Sequence, residues 1–320
     1  MRTKLCLLLI ALGLLGGCRG ARKRVIAVIP KGTAHIFWQS IQAGAVAAGR
    51  DLNVDILWNG PAQETEYSRQ IQILDSVIAR HVDGIAVSAA DRVALNGSLD
   101  RAAAAGIPVV VFDSGVESTN YMTFIATNNA EAGEKAARKL AALLHGKGKV
   151  GMVMHAPGSN STGERERRFE EVITKELSGI AIVGRQYGMT DRAKSRDAAE
   201  NILTAHPDLA GLFGSSEAST VGSALAIKGR GLTGKVHLVG FDYSDSQLDD
   251  LRGGTIDALV VQDPFRIGYD AVKLLVDKLN GATPRKLINL SAQVVTKPDL
   301  DKPEIKALLF RDLRPYLTDQ

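Results

Sequence analysis

The sequence predicts an α/β protein of two doubly wound parallel-sheet lobes. Three observations carry that prediction. The chain has 320 residues, more than one typical domain needs and enough for two. From Val25 onward, short apolar runs alternate with helix-length amphipathic stretches, the pattern of strand–helix repeats that build parallel sheets. The runs are continuous in Val and Ile instead of alternating apolar with polar, as parallel strands buried on both faces require.

In chain order, the first series of strands is expected at Val25–Ile29, Val54–Trp58, Gly84–Ser88, Pro108–Phe112 and Met122–Ala126. A second series follows at Val150–Met154, Ala181–Arg185, Gly211–Gly214, Val236–Gly240 and Ala258–Val261. Helical patterns lie between them, among them Thr65–Arg80, Glu131–Leu144 and Ser195–Thr204. Two series of like length imply two sheets and two similar lobes. The end of the chain, from Pro298, carries Ile305, Leu308, Leu309 and Leu313 at helical spacing with Pro315 near the stop, which predicts a short amphipathic helix packed on the surface of a lobe.

In doubly wound sheets ligands sit beyond the carboxyl ends of the strands, so chemistry is sought just after each run. The first run leads into Pro30-Lys31-Gly32-Thr33-Ala34-His35-Ile36-Phe37-Trp38, and the fourth ends in Asp113. In the second series the runs lead to Asn160 through Arg165, to Thr190-Asp191, to Ser215-Ser216-Glu217, to Asp242, and finally to Gln262-Asp263. Carboxylates, amides and a guanidinium each grip paired hydroxyls, and aromatic faces suit the apolar CH patches of a sugar ring. The alternatives are plain. Asp242 precedes a turn and is placed to cap it; Lys31 and His35 could be solvated loop residues; Arg165 lies in a charge run usually read as a wet helix face.

At these residues the chain resembles the ribose-binding branch of the periplasmic binding proteins of type I fold. The resemblance runs from Val25 to about Lys297, and its order and spacing matter more than any one motif. It is carried by Leu203-Thr204-Ala205-His206-Pro207-Asp208-Leu209, Val239-Gly240-Phe241-Asp242, Gly106-Ile107-Pro108-Val109-Val110, and Arg165 ahead of Phe169. It implies a ligand-binding set of Lys31, His35, Phe37, Trp38, Asp113, Asn129, Arg165, Thr190, Ser216, Glu217, Asp242 and Gln262. It also implies lobes of residues 25–126 plus 263–290 and 127–262 plus 291–320, joined by a three-strand hinge with crossings near Ala126–Asn128, Gln262–Asp263 and Leu290–Ser291. The chain departs from the family at several of these places. Lys31 and His35 stand where Ser or Thr and Asn are frequent, and Ser114 stands where ribose binders have Arg. Thr190 replaces a stacking Phe, Ser216 an Asn, and Glu217 the usual Asp. Lys31, His35 and Arg165 make the pocket more cationic than in ribose binders, while Asp113, Asp242 and Glu217 offset this; a neutral pentose or hexose is expected, with an acidic or phosphorylated sugar as the alternative.

The amino terminus has its own logic. Arg2 and Lys4 precede an apolar stretch from Leu5 to Leu15, the layout of a secretory signal and too short to span about 30 Å of hydrocarbon. It ends Leu15-Gly16-Gly17-Cys18, which resembles a lipobox, so residues 1–18 are expected to be a lipoprotein signal with Cys18 acylated and 19–24 a basic tether. Two acyl chains suffice for stable membrane anchoring. The only other cysteine is Cys6, so the exported domain is built without disulfides. Residues 1–24 hold six cations and no acid; removing those six from 39 Lys and Arg leaves 33 against 35 acids. The basic character therefore belongs to the leader, and a nucleic-acid-binding surface is not expected.

The expected function is capture of a small sugar between closing lobes and delivery to an ABC permease, with a sensory receptor on the same fold as the alternative. The chain is expected to sit lipid-anchored on the periplasmic or extracellular face, as a monomer, without cofactor. His81, His145, His155, His206 and His237 show no metal spacing, and no nucleophile–base set marks an enzyme. Cys18→Ala should move the protein from the detergent phase to the aqueous phase of a Triton X-114 partition. Retention in detergent would discount the acyl anchor.

Overall fold

The computed structural model describes residues 22–317. The signal, Cys18 and residues 19–21 of the tether lie outside the described residues. The first sheet contains β1 (Val25–Ile29), β2 (Asp55–Trp58), β3 (Gly84–Val87), β4 (Val109–Phe112), β5 (Thr123–Thr127) and β11 (Leu287–Leu290), in the order β11-β5-β4-β3-β1-β2. All its pairings are parallel. The second contains β6 (Gly148–Met154), β7 (Ile180–Tyr187), β8 (Leu209–Gly214), β9 (His237–Phe241), β10 (Ala258–Val261) and β12 (Gln293–Val295), in the order β12-β10-β9-β8-β6-β7. There only β12 runs antiparallel, against β10.

Both faces of each sheet are covered by helices. On β1, Ile26 and Val28 join one apolar cluster while Ala27 and Ile29 join another. On β10, Ala258 and Val260 face one side, Leu259 and Val261 the other. Side chains alternate along a strand, so two buried faces demand an unbroken apolar run, which is why these strands read as they do. The first sheet is covered on one face by α1 (Ile36–Asp51) and α9 (Pro264–Leu279), and on the other by α2 (Tyr67–Ala79) and α3 (Asn96–Ala104). The second is covered by α4 (Asn129–Leu143) and α5 (Asn160–Glu176) on one face. On the other lie α6 (Arg192–Ala205), α7 (Glu217–Gly229) and α8 (Asp245–Gly253).

The chain passes between sheets three times: from β5 into α4, from β10 into α9, and from β11 to β12. Helix α4 thus follows a strand of the first sheet yet packs on the second, and α9 does the reverse. The tail differs from expectation. Residues 303–309 form α10 (Pro303–Leu309), which buries Ile305 and Leu309 in the second lobe. The chain then breaks and α11 (Arg314–Leu317) returns to α1. Tyr316 makes an edge contact with Phe265 at 5.7 Å, and the Arg50 guanidinium lies 5.5 Å from its ring. The stretch 291–320 is therefore not confined to the second lobe, because aromatic and cation–π contacts draw its end back to the first.

Helices α1 and α9 meet backbone to backbone. A Cβ at Gly44 would lie 2.0 Å from the Phe265 carbonyl oxygen, and one at Gly268 would lie 2.1 Å from that of Ile41. Gly44→Ala must push the helices apart and is expected to cost about 1–3 kcal/mol in urea denaturation. Gly163→Ala on α5 meets nothing within 4 Å and should leave stability unchanged or slightly raised. Equal effects at the two sites would contradict this packing.

Candidate ligand-binding cleft

The carboxyl ends of both sheets face one narrow cleft, with about 40 Å³ of free space between its walls in this arrangement of the lobes. Of the twelve residues expected at a ligand, ten line it: Lys31, His35, Phe37, Trp38, Asp113, Arg165, Ser216, Glu217, Asp242 and Gln262. They arrive from both lobes and from the hinge, as the strand-end rule requires.

Arg165 is the central cation. It sits on the first turns of α5, 2% exposed, with its guanidinium 3.9 Å from the Phe241 ring. Nη1 donates to the Ser215 carbonyl at 2.8 Å, while Nε and Nη2 donate to Oδ1 of Asn129 at 3.1 and 2.7 Å. Asn129 therefore stands behind Arg165, off the cavity wall, and positions it. This corrects the expectation of a direct ligand contact: the amide at the start of α4 is spent on the guanidinium. Gly133 assists, since a Cβ there would lie 2.2 Å from the Arg165 carbonyl oxygen.

Two aspartates occupy matching places in the two lobes. Asp113 follows β4 with φ 58° and Asp242 follows β9 with φ 60°. Such left-handed backbone is costly for residues other than glycine and is tolerated best by Asp and Asn. Asp113 accepts from the Ser88 hydroxyl at 3.0 Å. Asp242 accepts from Nε2 of Gln262 at 2.7 Å. Burial raises both carboxyls above the ordinary range, Asp242 to about 6 in spite of the Arg165 charge.

The first loop is less free than its sequence suggests. Lys31 Nζ lies 3.3 Å from Glu64 Oε2, 3.3 Å from Ser159 Oγ and 4.0 Å from Asp113 Oδ2. Glu64 also accepts from the Trp38 indole at 2.9 Å and meets Nε2 of His155 at 3.1 Å. Burial pushes the Glu64 carboxyl up, but Lys31 and His155 together hold it well below its usual value. His35 holds the N-cap position of α1 without capping it; its Nδ1 reaches Glu217 Oε2 at 3.1 Å across the cleft. That bond raises the imidazole pKa. Arg192 pairs with the same carboxylate. The cations read from the sequence are thus already matched by acids, and the pocket is not a cationic one.

Phe37 and Trp38 meet edge to face at 5.0 Å. Trp38 belongs to the apolar core as well as to the wall, whereas Phe37 is half-buried. Ser216 caps α7 through Ser219 and lines the wall. Thr190 does not reach the cavity. It stands in the turn after β7, at one edge of its sheet, and is absent from the wall.

Sequence reasoning missed Glu64, His155 and Ala218, and reached Ser161 and Thr162 only as part of the segment Asn160 through Arg165; all five are on the wall. His155 immediately follows β6 and obeyed the strand-end rule. Glu64 lies in the loop after an edge strand and carried no signal. Three buried polar atoms among the lining residues have no protein partner: His155 Nδ1, Thr162 Oγ1 and Gln262 Oε1.

Residues 26–283 match the family described as periplasmic binding protein domain. Among solved structures, a carbohydrate transporter solute binding protein from Agrobacterium radiobacter in complex with D-arabinose is 32% identical. It superposes with a TM-score of 0.88, covering 91% of this chain and 100% of that one. An ABC transporter solute binding protein from Agrobacterium vitis with bound D-fucose is 34% identical with a TM-score of 0.86, covering 89% and 99%. The ribose import binding protein of Bacillus subtilis is 28% identical over 234 residues, 73% of this chain and 75% of the relative.

Asp242 gives a pH test. Its folded pKa of about 6 exceeds the ordinary 3.8, so between these values the folded protein holds a proton that the unfolded chain releases. Stability from this group is present below the lower value and is lost as pH rises through the upper one. Asp242→Asn needs no proton. Without ligand it should match the parent near about pH 4 and exceed it by up to about 3 kcal/mol at neutral pH, read by urea denaturation across pH. A constant difference at all pH values would contradict the assignment.

Proposed function

The chain belongs to the periplasmic binding protein domain family, and from that premise we propose that it captures a neutral monosaccharide, a pentose or hexose, between its lobes and delivers it to an ABC permease. The observation that carries the choice of ligand is the charge balance of the cleft. Glu64, Asp113, Glu217 and Asp242 stand against Lys31 and Arg165, with Lys31 tied to Glu64 and His35 and Arg192 tied to Glu217. An anionic ligand would find no uncommitted cation except Arg165, and would meet four carboxyls. A neutral polyol meets acceptors and donors in alternation, which is what its hydroxyls match.

The arrangement supports a role for each lining group. Arg165, Asp113 and Asp242 take ring hydroxyls, Gln262 reads one from the hinge, and Phe37 offers an apolar edge to the ring. A hydroxyl missing from the ligand leaves a buried donor or acceptor unpaired, at a cost of about 1–3 kcal/mol, and this sets selectivity. The lobes close because the closed state binds the sugar better. The relatives that bind D-arabinose, D-fucose and ribose by their names support the same ligand class. Their transport roles support a site of action outside the cytoplasm and a function without catalysis, and the sequence Leu15-Gly16-Gly17-Cys18 supports Cys18 as the lipid anchor.

A thermal-shift panel tests the ligand class. D-Arabinose, D-fucose, D-tagatose and D-ribose are set against galacturonate, glucuronate and ribose 5-phosphate; ligand at 100 times its Kd adds about 2.7 kcal/mol. At least one neutral sugar should raise Tm, and Arg165→Ala should abolish the rise while remaining folded. A rise with the acids alone would overturn the neutral-sugar reading.

A further inference from the structure

His155 is the wall residue whose environment is most informative. It is 5% exposed and uses one ring nitrogen to span the cleft, with Nε2 3.1 Å from Oε2 of Glu64 in the first lobe. The other nitrogen, Nδ1, is buried without a protein partner, on a residue that lines the cavity. Burial lowers the imidazole pKa, outweighing the pull of Glu64, with Lys31 and Arg165 acting in the same direction as burial. The ring is therefore neutral at pH 7 and carries one proton.

The position of that proton follows from Glu64. An ionised carboxylate only accepts, and Glu64 is held ionised against its burial by the Lys31 charge and by the hydrogen bond from His155. The proton must sit on Nε2, between the two side chains, which leaves Nδ1 as a bare lone pair. A buried acceptor without a donor carries a desolvation penalty. What can satisfy this one is a group in the cavity that donates.

We propose that Nδ1 of His155 accepts a hydrogen bond from one hydroxyl of the bound sugar, making His155 a specificity-determining residue that demands a free hydroxyl and rejects the deoxy or O-methyl sugar at that position. This rests on the neutral-sugar reading of the cleft. The same geometry links recognition to closure. Glu64 and His155 come from opposite lobes, so the acceptor is fixed in tautomer and orientation when the lobes meet. An open cleft leaves the ring free to rotate and exchange tautomers.

Titration calorimetry with D-arabinose, D-fucose, D-tagatose and D-ribose first identifies a sugar that the parent protein binds. Monodeoxy and mono-O-methyl derivatives of that sugar, one per position, are then measured on the parent and on His155→Gln. The glutamine amide reaches the Nε2 position and keeps a bond to Glu64, but puts nothing where Nδ1 was. The parent should lose roughly 5- to 150-fold in affinity at one position. His155→Gln should bind the intact sugar more weakly and no longer distinguish it from the derivative altered at that position. A variant that discriminates at every position as the parent does overturns the proposal. A parent that binds no neutral sugar overturns the reading of the cleft itself, an outcome visible before any variant is made. Should His155→Gln fail to fold, the imidazole nitrogens of the ¹⁵N-labelled parent decide: a neutral Nε2–H ring is expected whose Nδ1 resonance moves on saturation with sugar. A resonance that stays in place, or a protonated ring, overturns the proposal.

Discussion

A full positive charge is held in the interior at Arg165, and the cleft is organised around keeping it satisfied. Taking a guanidinium from water is expensive unless every donor finds an acceptor and a counter-charge stands near. Asn129 and the Ser215 carbonyl take three of its five N–H bonds, Phe241 covers its face, and Asp113 and Asp242 supply opposing charge. Those partners come from α4, from the turn after β8, and from the ends of β4 and β9. Holding them together fixes the relation between the hinge, the second lobe and the first. The glycine at 133 serves the same end by letting α4 approach the backbone that carries the charge.

The near-equivalence of the lobes appears most directly in the two strand-end aspartates. Each takes a left-handed backbone conformation, and each donates its N–H across to the next strand in its sheet, Asp113 to Ile125 and Asp242 to Val260. Unfavourable backbone at two matched positions is the kind of local strain that a rigid scaffold can impose where chemistry needs a side chain aimed. Both carboxyls are also destabilised by burial. The unliganded closed cleft is thus locally costly, and a ligand that donates to these oxygens relieves the cost. Ligand-dependent closure follows from that difference.

The fold was legible in the sequence to the extent that burial on two faces writes itself as an apolar run. β1 and β10 have the bounds read from Val25–Ile29 and Ala258–Val261. β11 and β12 are short, with exposed positions, and so carry no such run; they were invisible as strands, and Leu290–Ser291 was seen only as a crossing. The tail helix was foreseen at Ile305 and Leu309, but its return to α1 depends on Tyr316 meeting Phe265 and Arg50, a tertiary contact that no local pattern encodes. In the cleft, residues on central strand ends were found because topology places them there. Thr190 follows the edge strand β7 and lies off the wall, whereas Glu64, in the loop after the edge strand β2, reaches it. Asn129 was found but misassigned, since a sequence cannot tell a residue that touches a ligand from one that holds the residue that does. The offset of the cleft cations by acids was legible at Asp113, Glu217 and Asp242, but the partner of Lys31, Glu64, came from a loop without signal.

The central claim is that the charge-balanced space between the lobes, with Arg165 and Asp242 on its wall, is where a neutral sugar is held. A crystal structure of the protein with a neutral monosaccharide that it binds tests this most directly. Density for one sugar ring is expected beside Phe37, with hydroxyls within hydrogen-bond distance of Arg165, Asp113, Asp242 and Gln262. A ring seated elsewhere, with Arg165 and Asp242 still bonded only to protein, would contradict it.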